Sequence, residues 1–272
     1  MQELFDNHNH SEFSFDGHGA SVAKTTQAAI DAGLAGLCFT DHYDLESPGM
    51  KALGHDRDET FDIEAQQQEI DRVRLMHPNI KIMKGIELGF MHDCRNELRA
   101  ALNNHHFDQV IASLHYIDDM DPYHKTYYQG KNAKEAYGHY LETIYDEMTW
   151  LEDFDILGHF DYIVRYPDYP EKAILYKDFP DILDSILKYL AHEGKALEIN
   201  TKTYGSHNGR IPYLDTNILK RYQEFGGEII SLGSDSHTPD RVGTGFKRTS
   251  EFLQAQGFKY LAHFENRQLK ML

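Results

Sequence analysis

Histidine and acidic residues recur immediately after short apolar segments of this chain. The first example is His8-x-His10, which follows the apolar pair Leu4 and Phe5. Positions two apart on a strand point to the same face, so the two imidazoles are expected to project side by side. Such a pair on a stiff element suits a divalent transition-metal ion. Because the chain has 17 histidines, one pair can arise by chance, and a metal site requires further ligands from elsewhere.

Seven segments are predicted to be buried strands because they are short and almost continuously apolar. They are residues 4–8, 34–40, 80–88, 109–115, 155–160, 196–201 and 228–233. Helical patterns separate them, at residues 21–32, 62–76, 93–103, 133–153, 179–192, 213–225 and 250–256. This alternation predicts a parallel α/β fold, most simply a barrel that forms a single domain over residues 1–272. Seven strands is one fewer than in the common eight-stranded barrel.

Six of the seven predicted strands end in His, Asp or Glu. The carboxyl ends of the strands in a parallel barrel meet at one rim, so these side chains are expected to converge. The nine residues are His8, His10, Asp16, His42, Glu87, His115, His159, Asp235 and His237. Mixed imidazole and carboxylate ligands suit Zn²⁺, Mn²⁺ or Fe²⁺ better than Ca²⁺. Nine ligands exceed the needs of one tetrahedral ion, so two or three ions are predicted.

The remaining histidines do not follow strand ends. Eight are predicted to lie at the surface, namely His18, His55, His77, His105, His106, His139, His192 and His263, while His92, His124 and His207 are not assigned. Two long loops, 43–60 and 116–131, follow the carboxyl ends of strands. Loops of this length are more often functional than accidental, so both are expected to border the site.

The composition describes an acidic chain. A formal net charge of −17 over 272 residues argues against broad attraction to a nucleic-acid backbone. No apolar run is long enough to span a membrane, and the N-terminus lacks the apolar core of a signal peptide, so neither secretion nor membrane insertion is expected. Cys38 and Cys94 are too few for a disulfide framework and are expected to be reduced thiols of a cytoplasmic protein.

In its strand-end motifs the chain resembles the PHP (polymerase and histidinol phosphatase) family. The motifs are, in order, His8-x-His10, Thr40-Asp41-His42, Gly85-x-Glu87, Ser113-x-His115, Gly158-His159 and Ser234-Asp235-Ser236-His237. Within that family, the length of the chain and the long loop after His42 are similar to the histidinol-phosphate phosphatases of histidine biosynthesis. The resemblance implies a distorted (β/α)7 barrel with its active site at the C-terminal ends of the strands, and a cluster of three metal ions.

The resemblance also implies how the ligands divide among the ions. One ion would bind His8, His10, Glu87 and Asp235, a second would share Glu87 and bind His115 and His159, and a third would bind Asp16, His42 and His237. Other members of the family have His at the position of Asp16, so the carboxylate would alter the metal preference of the third site.

The predicted reaction is hydrolysis of a small phosphomonoester, with L-histidinol phosphate as the expected substrate. A hydroxide activated by the ions would attack phosphorus. Asp235 and His237 are the candidates for moving a proton to the leaving group, and Glu87 is the ligand shared by two ions.

Four residues are candidates for binding the substrate. Arg165, in the loop after His159, is the first candidate for phosphate contact because guanidinium binds phosphate in a bidentate manner. Arg210 and Lys202, after the sixth strand, are the next candidates. Glu12 is a candidate for binding a substrate amine.

Three alternatives remain open from the sequence. The chain could be a phosphoesterase that acts on another small phosphate ester, a mononucleotide or a cyclic phosphodiester. It could be a metal-binding accessory protein without turnover, although such proteins usually lose ligands and here all nine positions are filled. It could also be an amidohydrolase, although a strand-end lysine that could bridge two ions is not evident apart from Lys202.

Overall fold

A single sheet runs through the computed structural model, which describes residues 3–17, 19–54 and 59–272. Its strands are β1 (Phe5–Asn9), β2 (Gly36–Phe39), β3 (His42–Tyr43), β4 (Lys81–Gly89), β5 (Gln109–Ser113), β6 (Ile156–Leu157), β7 (Ala196–Asn200), β8 (Ile230–Gly233), β9 (Ala262–Glu265) and β10 (Gln268–Met271). β1, β2, β4, β5, β6, β7 and β8 neighbour one another in this order, and every pair is parallel. These seven are the strands that the sequence predicts, and the predicted α/β fold built on a parallel sheet is confirmed.

The two edges of the parallel sheet meet at the carboxyl end of β1. The His10 N–H donates to the Ser236 carbonyl over 2.8 Å, and the Asp235 N–H donates to the His8 carbonyl over 2.9 Å. These bonds hold the first and last ligand-bearing segments of the chain side by side.

Helices cover the outside of the sheet. They are α1 (Val22–Asp31), α2 (Pro48–Ala52), α3 (Ile63–Met76), α4 (Arg95–Asn104), α5 (Ala133–Leu151), α6 (Pro180–Glu193), α7 (Thr216–Glu224) and α8 (Phe246–Ala255). Ser21 caps α1 by accepting from the Lys24 N–H, and Asn132 and Glu135 form a capping box on α5. The short α2 inside loop 43–60 was not predicted. Among the described residues, every helix is too short or too polar to cross a bilayer.

The core between the helices and the sheet is expected to contribute strongly to the free energy of unfolding. Replacing Leu141 of α5 by Ala is expected to lower the free energy of unfolding by about 2–5 kcal/mol, because the side chain is fully buried in the main core. Leu75 of α3 is 85% exposed and is the matched control, for which the same substitution should cost less than about 0.5 kcal/mol. Urea denaturation measures both values, and equal losses would contradict the assignment of the core.

The C-terminal hairpin was missed by the sequence prediction. β9 joins β8 through Ala262, and β10 pairs with β9 in the antiparallel direction. This hairpin brings His263 against β1, where its buried ring stacks on Phe5 with centroids 4.4 Å apart. The prediction of a surface position for His263 is therefore wrong, because the segment is a strand and not a loop.

Five other histidines predicted at the surface are at least partly exposed, namely His77, His105, His106, His139 and His192. His18 and His55 lie outside the described residues. Of the unassigned histidines, His92 is exposed, and His124 lies in the loop that follows β5.

Candidate metal centre

Glu87, fully buried on β4, lies at the centre of the predicted ligands. Its Oε2 is 3.2 Å from His8 Nε2, 3.5 Å from His10 Nε2 and 3.0 Å from His42 Nδ1. β1 and the residue after it supply the first two imidazoles, and β3 supplies the third. One carboxylate oxygen therefore faces three ring nitrogens.

The second oxygen of Glu87 faces a different group. Oε1 is 2.9 Å from His159 Nε2 and 3.2 Å from His115 Nε2, and these two nitrogens are 3.4 Å apart. Ser113 donates its hydroxyl to the same oxygen over 2.7 Å. Glu87 thus joins two groups of imidazoles, as expected of a shared ligand.

The remaining predicted ligands extend the cluster. His237 Nε2 lies 2.8 Å from Asp16 Oδ2, and His42 Nε2 lies 3.8 Å from the same oxygen. Asp235 Oδ1 lies 3.6 Å from His10 Nε2. All nine predicted ligands are therefore brought together, and His42 faces both Glu87 and Asp16.

Two carboxylates that were not predicted orient the imidazoles. Glu198 Oε1 accepts from His8 Nδ1 over 2.7 Å, and Glu198 Oε2 accepts from the His159 N–H over 2.6 Å. Asp44 Oδ1 accepts from His115 Nδ1 over 2.8 Å. Because an ionised carboxylate only accepts, the rings of His8 and His115 carry a proton on Nδ1 and present an unprotonated Nε2 as a ligand atom when neutral.

Strand-end glycines make room for these carboxylates. A Cβ atom at Gly233 would collide with Glu198, and a Cβ at Gly89 would collide with Asp44. A side chain at either position would displace the carboxylate that holds an imidazole.

Buried atoms without hydrogen bonds test whether a cation fits this centre. Such atoms include His8 Nε2, His10 Nε2, His42 Nδ1 and Glu87 Oε2. Buried polar atoms are normally satisfied, so four that lie this close together fit a shared positively charged partner. Among the described residues, three overlapping groups have ligand atoms within 4.8 Å of one another: His10, Asp16, His42 and His237; His8, His10 and Glu87; and His42, Glu87 and His115. This donor set fits divalent transition metals.

The electrostatics of the centre agree with this fit. Burial would raise the pKa of Glu87, but the imidazoles of His8, His115 and His42 outweigh it and hold the pKa well below its usual range. Burial would lower the pKa of His115, but Asp44 and Glu87 raise it to about 10. The buried carboxylates of this centre are therefore stabilised by nearby positive charge, which either protons on the imidazoles or metal ions can provide.

A cavity of about 580 Å³ opens beside the cluster. Its wall is formed by Phe15, Asp16, His42, Asp44, Glu59, His115, Tyr116, Asp121, Tyr123, His124, His159, Tyr162, Arg165, Tyr166, Lys202, Asp235 and His237. The loops predicted to border the site, 43–60 and 116–131, both contribute to this wall. The cavity is large enough for a small molecule in contact with the cluster.

Two of the four predicted substrate contacts reach this cavity. Arg165 is buried, and its Nη1 donates to Asp235 Oδ2 over 3.1 Å. Lys202 Nζ donates to Asp235 Oδ1 over 3.0 Å and lies 3.2 Å from His237 Nδ1. Two cations are thus held beside the predicted metal ligands.

Arg210 and Glu12 point elsewhere. Arg210 donates to the carbonyls of Pro167 and Asp168, and so joins two loops. Glu12 is exposed, and its carboxylate accepts from the Val22 N–H at the start of α1 over 2.7 Å. Neither Arg210 nor Glu12 lines the cavity. The position of a loop residue in the sequence does not fix the direction of its side chain.

Comparisons with known proteins agree with the geometry. Residues 6–202 match the family model of the PHP domain. The chain is 35% identical over 266 residues to a histidinol-phosphatase of Lactococcus lactis, covering 97% of this chain and 95% of the relative. It is 31% identical over 270 residues to a probable histidinol-phosphatase of Clostridium acetobutylicum, covering 98% and 99%.

A solved structure extends the likeness to three dimensions. It is the histidinol phosphate phosphatase of Lactococcus lactis complexed with zinc, L-histidinol and phosphate, and it superposes with a TM-score of 0.87 at 32% identity. The match covers 98% of this chain and 99% of that one. The chain belongs to the PHP domain family and, within it, to the histidinol-phosphatases.

Proposed function

We propose that this chain is a metal-dependent phosphatase that hydrolyses L-histidinol phosphate to L-histidinol and phosphate. The observation that carries the proposal is the group of buried, unpartnered His and Glu atoms around Glu87. It occurs in a chain that matches histidinol-phosphatases over nearly its full length. Zinc, L-histidinol and phosphate in the related Lactococcus structure support the same ligands here.

The proposed centre holds two or three divalent ions, which are zinc, manganese or iron. We assign His8, His10, Glu87 and Asp235 to the first ion, Glu87, His115 and His159 to the second, and Asp16, His42 and His237 to the third. When bound, the ions supply positive charge for the phosphate oxygens and lower the pKa of a water molecule. The two oxygens of Glu87, which face His8 and His159 respectively, and the approach of His42 to Asp16 support this division.

Arg165 and Lys202 are the proposed phosphate contacts on the protein side. Both lie in the cavity wall and both donate to Asp235. Burial would raise the pKa of Asp235, but Lys202, His10 and Arg165 hold it well below its usual range. Asp235 therefore stays ionised and suits a metal ligand better than a proton donor.

The outer wall of the cavity complements the leaving group of L-histidinol phosphate, which carries an amine and an imidazole. Tyr123 and Tyr166 make an edge-to-face contact there, with ring centroids 5.4 Å apart. Asp121 lies beside them and accepts from the Tyr123 N–H over 2.8 Å and from the Tyr162 hydroxyl over 3.3 Å. The aromatic faces suit contact with the imidazole ring of the leaving group, and the carboxylate of Asp121 suits its protonated amine.

The proposal includes the biological setting expected from the sequence. The reaction belongs to histidine biosynthesis in the cytoplasm, the substrate is a small molecule and not a nucleic acid, and residues 1–272 act as one domain. This setting is supported by the net charge of −17 and by the buried cysteines Cys38 and Cys94, neither of which forms a disulfide.

Phosphate release from a panel of esters tests the proposed function. Protein reconstituted with Zn²⁺ or Mn²⁺ is given L-histidinol phosphate, p-nitrophenyl phosphate, a mononucleotide and a cyclic phosphodiester. We expect kcat/KM for L-histidinol phosphate to exceed that of each other ester by about 100-fold or more, because unpaired site groups penalise a wrong leaving group. A higher value for any other ester would overturn the substrate assignment.

Glu198 provides a prediction about metal affinity. Replacing Glu198 by Gln is expected to weaken zinc binding by about 10–100-fold, because the carboxylate that orients His8 and the His159 backbone is lost. Competition with a chromophoric chelator measures the affinity. Glu193→Gln on the exposed end of α6 is the control. Wild-type affinity in the Glu198→Gln variant would contradict the orienting role.

A further inference from the structure

Thr203 accepts two hydrogen bonds from the guanidinium of Arg165. The hydroxyl oxygen of this fully buried threonine accepts from Arg165 Nε over 3.0 Å and from Arg165 Nη2 over 2.8 Å. The edge of the guanidinium that carries Nε and Nη2 therefore donates both hydrogen bonds to a single oxygen atom. The Tyr162 ring lies against the guanidinium, with its centroid 4.9 Å from Cζ, and restricts movement out of the plane.

The hydrogen-bond inventory of Arg165 shows what this arrangement leaves available. A guanidinium has five N–H groups. In the described part of the chain, Thr203 accepts from two of them and Asp235 Oδ2 accepts from a third. One N–H on Nη1 and one on Nη2 remain without a protein acceptor among these residues. Arg165 lines the cavity, so these two groups are available to a bound anion.

Thr203 is itself held firmly. Its N–H donates to the Asn200 carbonyl over 3.2 Å, in the turn that follows β7. Its carbonyl accepts from His207 Nε2 over 3.1 Å, and the same nitrogen also contacts the Lys202 carbonyl over 2.9 Å. The hydroxyl therefore projects from a backbone fixed on both sides, as expected of a group that orients another side chain.

We propose that Thr203 is a positioning residue for phosphate binding, because its hydroxyl oxygen fixes the plane in which the two remaining N–H groups of Arg165 meet the phosphate of the ester or product. The inference rests on the proposed function, since it assumes that Arg165 binds phosphate. It adds that the orientation of Arg165 depends on one oxygen atom in the loop after β7.

Binding of inorganic phosphate to the zinc-loaded full chain, measured by calorimetry, tests the proposal without any assumption about the leaving group. Thr203→Val keeps the shape of the side chain and removes the oxygen, and we expect phosphate binding to weaken about tenfold. Thr203→Ser keeps the oxygen and should restore binding to within about threefold of wild type. Thr26→Val, at a fully buried threonine on α1, is the control for the substitution itself.

A double-mutant cycle separates positioning from a purely structural role. In a chain that already carries Arg165→Lys, Thr203→Val should weaken phosphate binding by less than about twofold, because the effect acts through the guanidinium. Thermal unfolding and zinc content check each variant, and Thr203→Ala replaces the valine variant if the latter does not fold.

Two results would overturn the proposal. The first is wild-type phosphate affinity in a folded, zinc-loaded Thr203→Val or Thr203→Ala variant. The second is an equal effect of Thr203→Val in the otherwise wild-type chain and in the Arg165→Lys variant. A failure of the proposed function can be told apart from a failure of this inference. If the wild-type chain binds phosphate but does not hydrolyse L-histidinol phosphate, the same titration still measures the effect of Thr203 on phosphate binding.

Discussion

Replacing Glu87 by Gln is expected to abolish phosphate release and to remove most of the bound zinc. Glutamine keeps the shape of the side chain, but it has no charge and offers one oxygen where the carboxylate offers two. Oε2 of Glu87 faces His8, His10 and His42, and Oε1 faces His115 and His159, so the proposed first and second ions each lose a ligand. We expect turnover to fall by at least about 1,000-fold, because the charge that organises the centre is lost.

Zinc content by elemental analysis and phosphate release under saturating substrate measure this effect. Glu97→Gln on the exposed side of α4 is the matched control and should behave as wild type. Circular dichroism confirms that the Glu87→Gln variant is folded. A folded variant with full zinc content and full turnover would show that Glu87 is not the shared ligand.

Replacing Arg165 by Lys is expected to lower kcat/KM by about 100–1,000-fold while zinc content stays unchanged. Lysine keeps the charge, but an ammonium group cannot reproduce the planar donors that contact Thr203 and Asp235 and leave two N–H groups for phosphate. Charge-assisted bidentate bonds are among the stronger hydrogen bonds in proteins. Their loss therefore weakens binding of the phosphate in the transition state.

Steady-state kinetics of the Arg165→Lys variant, together with its zinc content, separates phosphate binding from metal binding. Arg210→Lys is the control, since Arg210 donates to the carbonyls of Pro167 and Asp168 outside the cavity. Equal kinetics in the wild type and the Arg165→Lys variant would mean that Arg165 is a structural cation and not a phosphate contact.

The convergence of the proposed metal ligands could be predicted from sequence because two regular geometries place these residues together. Alternation along a strand puts His8 and His10 on one side, and parallel strands bring their carboxyl ends to one rim. Most of these ligands therefore needed only a correct strand end, whereas Asp16 lies in the loop between β1 and α1. Glu87 followed from the same rule, although sequence could not show that its two oxygens face different groups of imidazoles.

Glu198 and Asp44, which orient the imidazoles, were not predicted as site residues. Their roles depend on contacts between segments that are far apart in the sequence. Glu198 is the one acid in the apolar strand β7, and this isolated charge was an available signal. Asp44 follows His42 by two residues, but its contact with His115, which comes after β5, is not visible in the sequence. Glu12 and Arg210 show the opposite case, because both were predicted as substrate contacts and neither lines the cavity.

The C-terminal hairpin was missed for a local reason. Its turn has positive φ angles of 50° at Asn266 and 61° at Arg267. Such turns usually carry glycine, and Arg at this position gives no turn signal in the sequence. Without a recognisable turn, β9 and β10 were too short to be predicted as a pair, and His263 was assigned to the surface.

Anomalous diffraction at the zinc edge from crystals of the zinc-loaded protein tests the central claim most directly. We expect at least two peaks in the cavity, one beside Glu87 Oε2, His8 and His10 and one beside Glu87 Oε1, His115 and His159, with ligand distances of about 2.0–2.2 Å. Fully occupied zinc confined to other parts of the chain, with no peak near Glu87, would contradict the account.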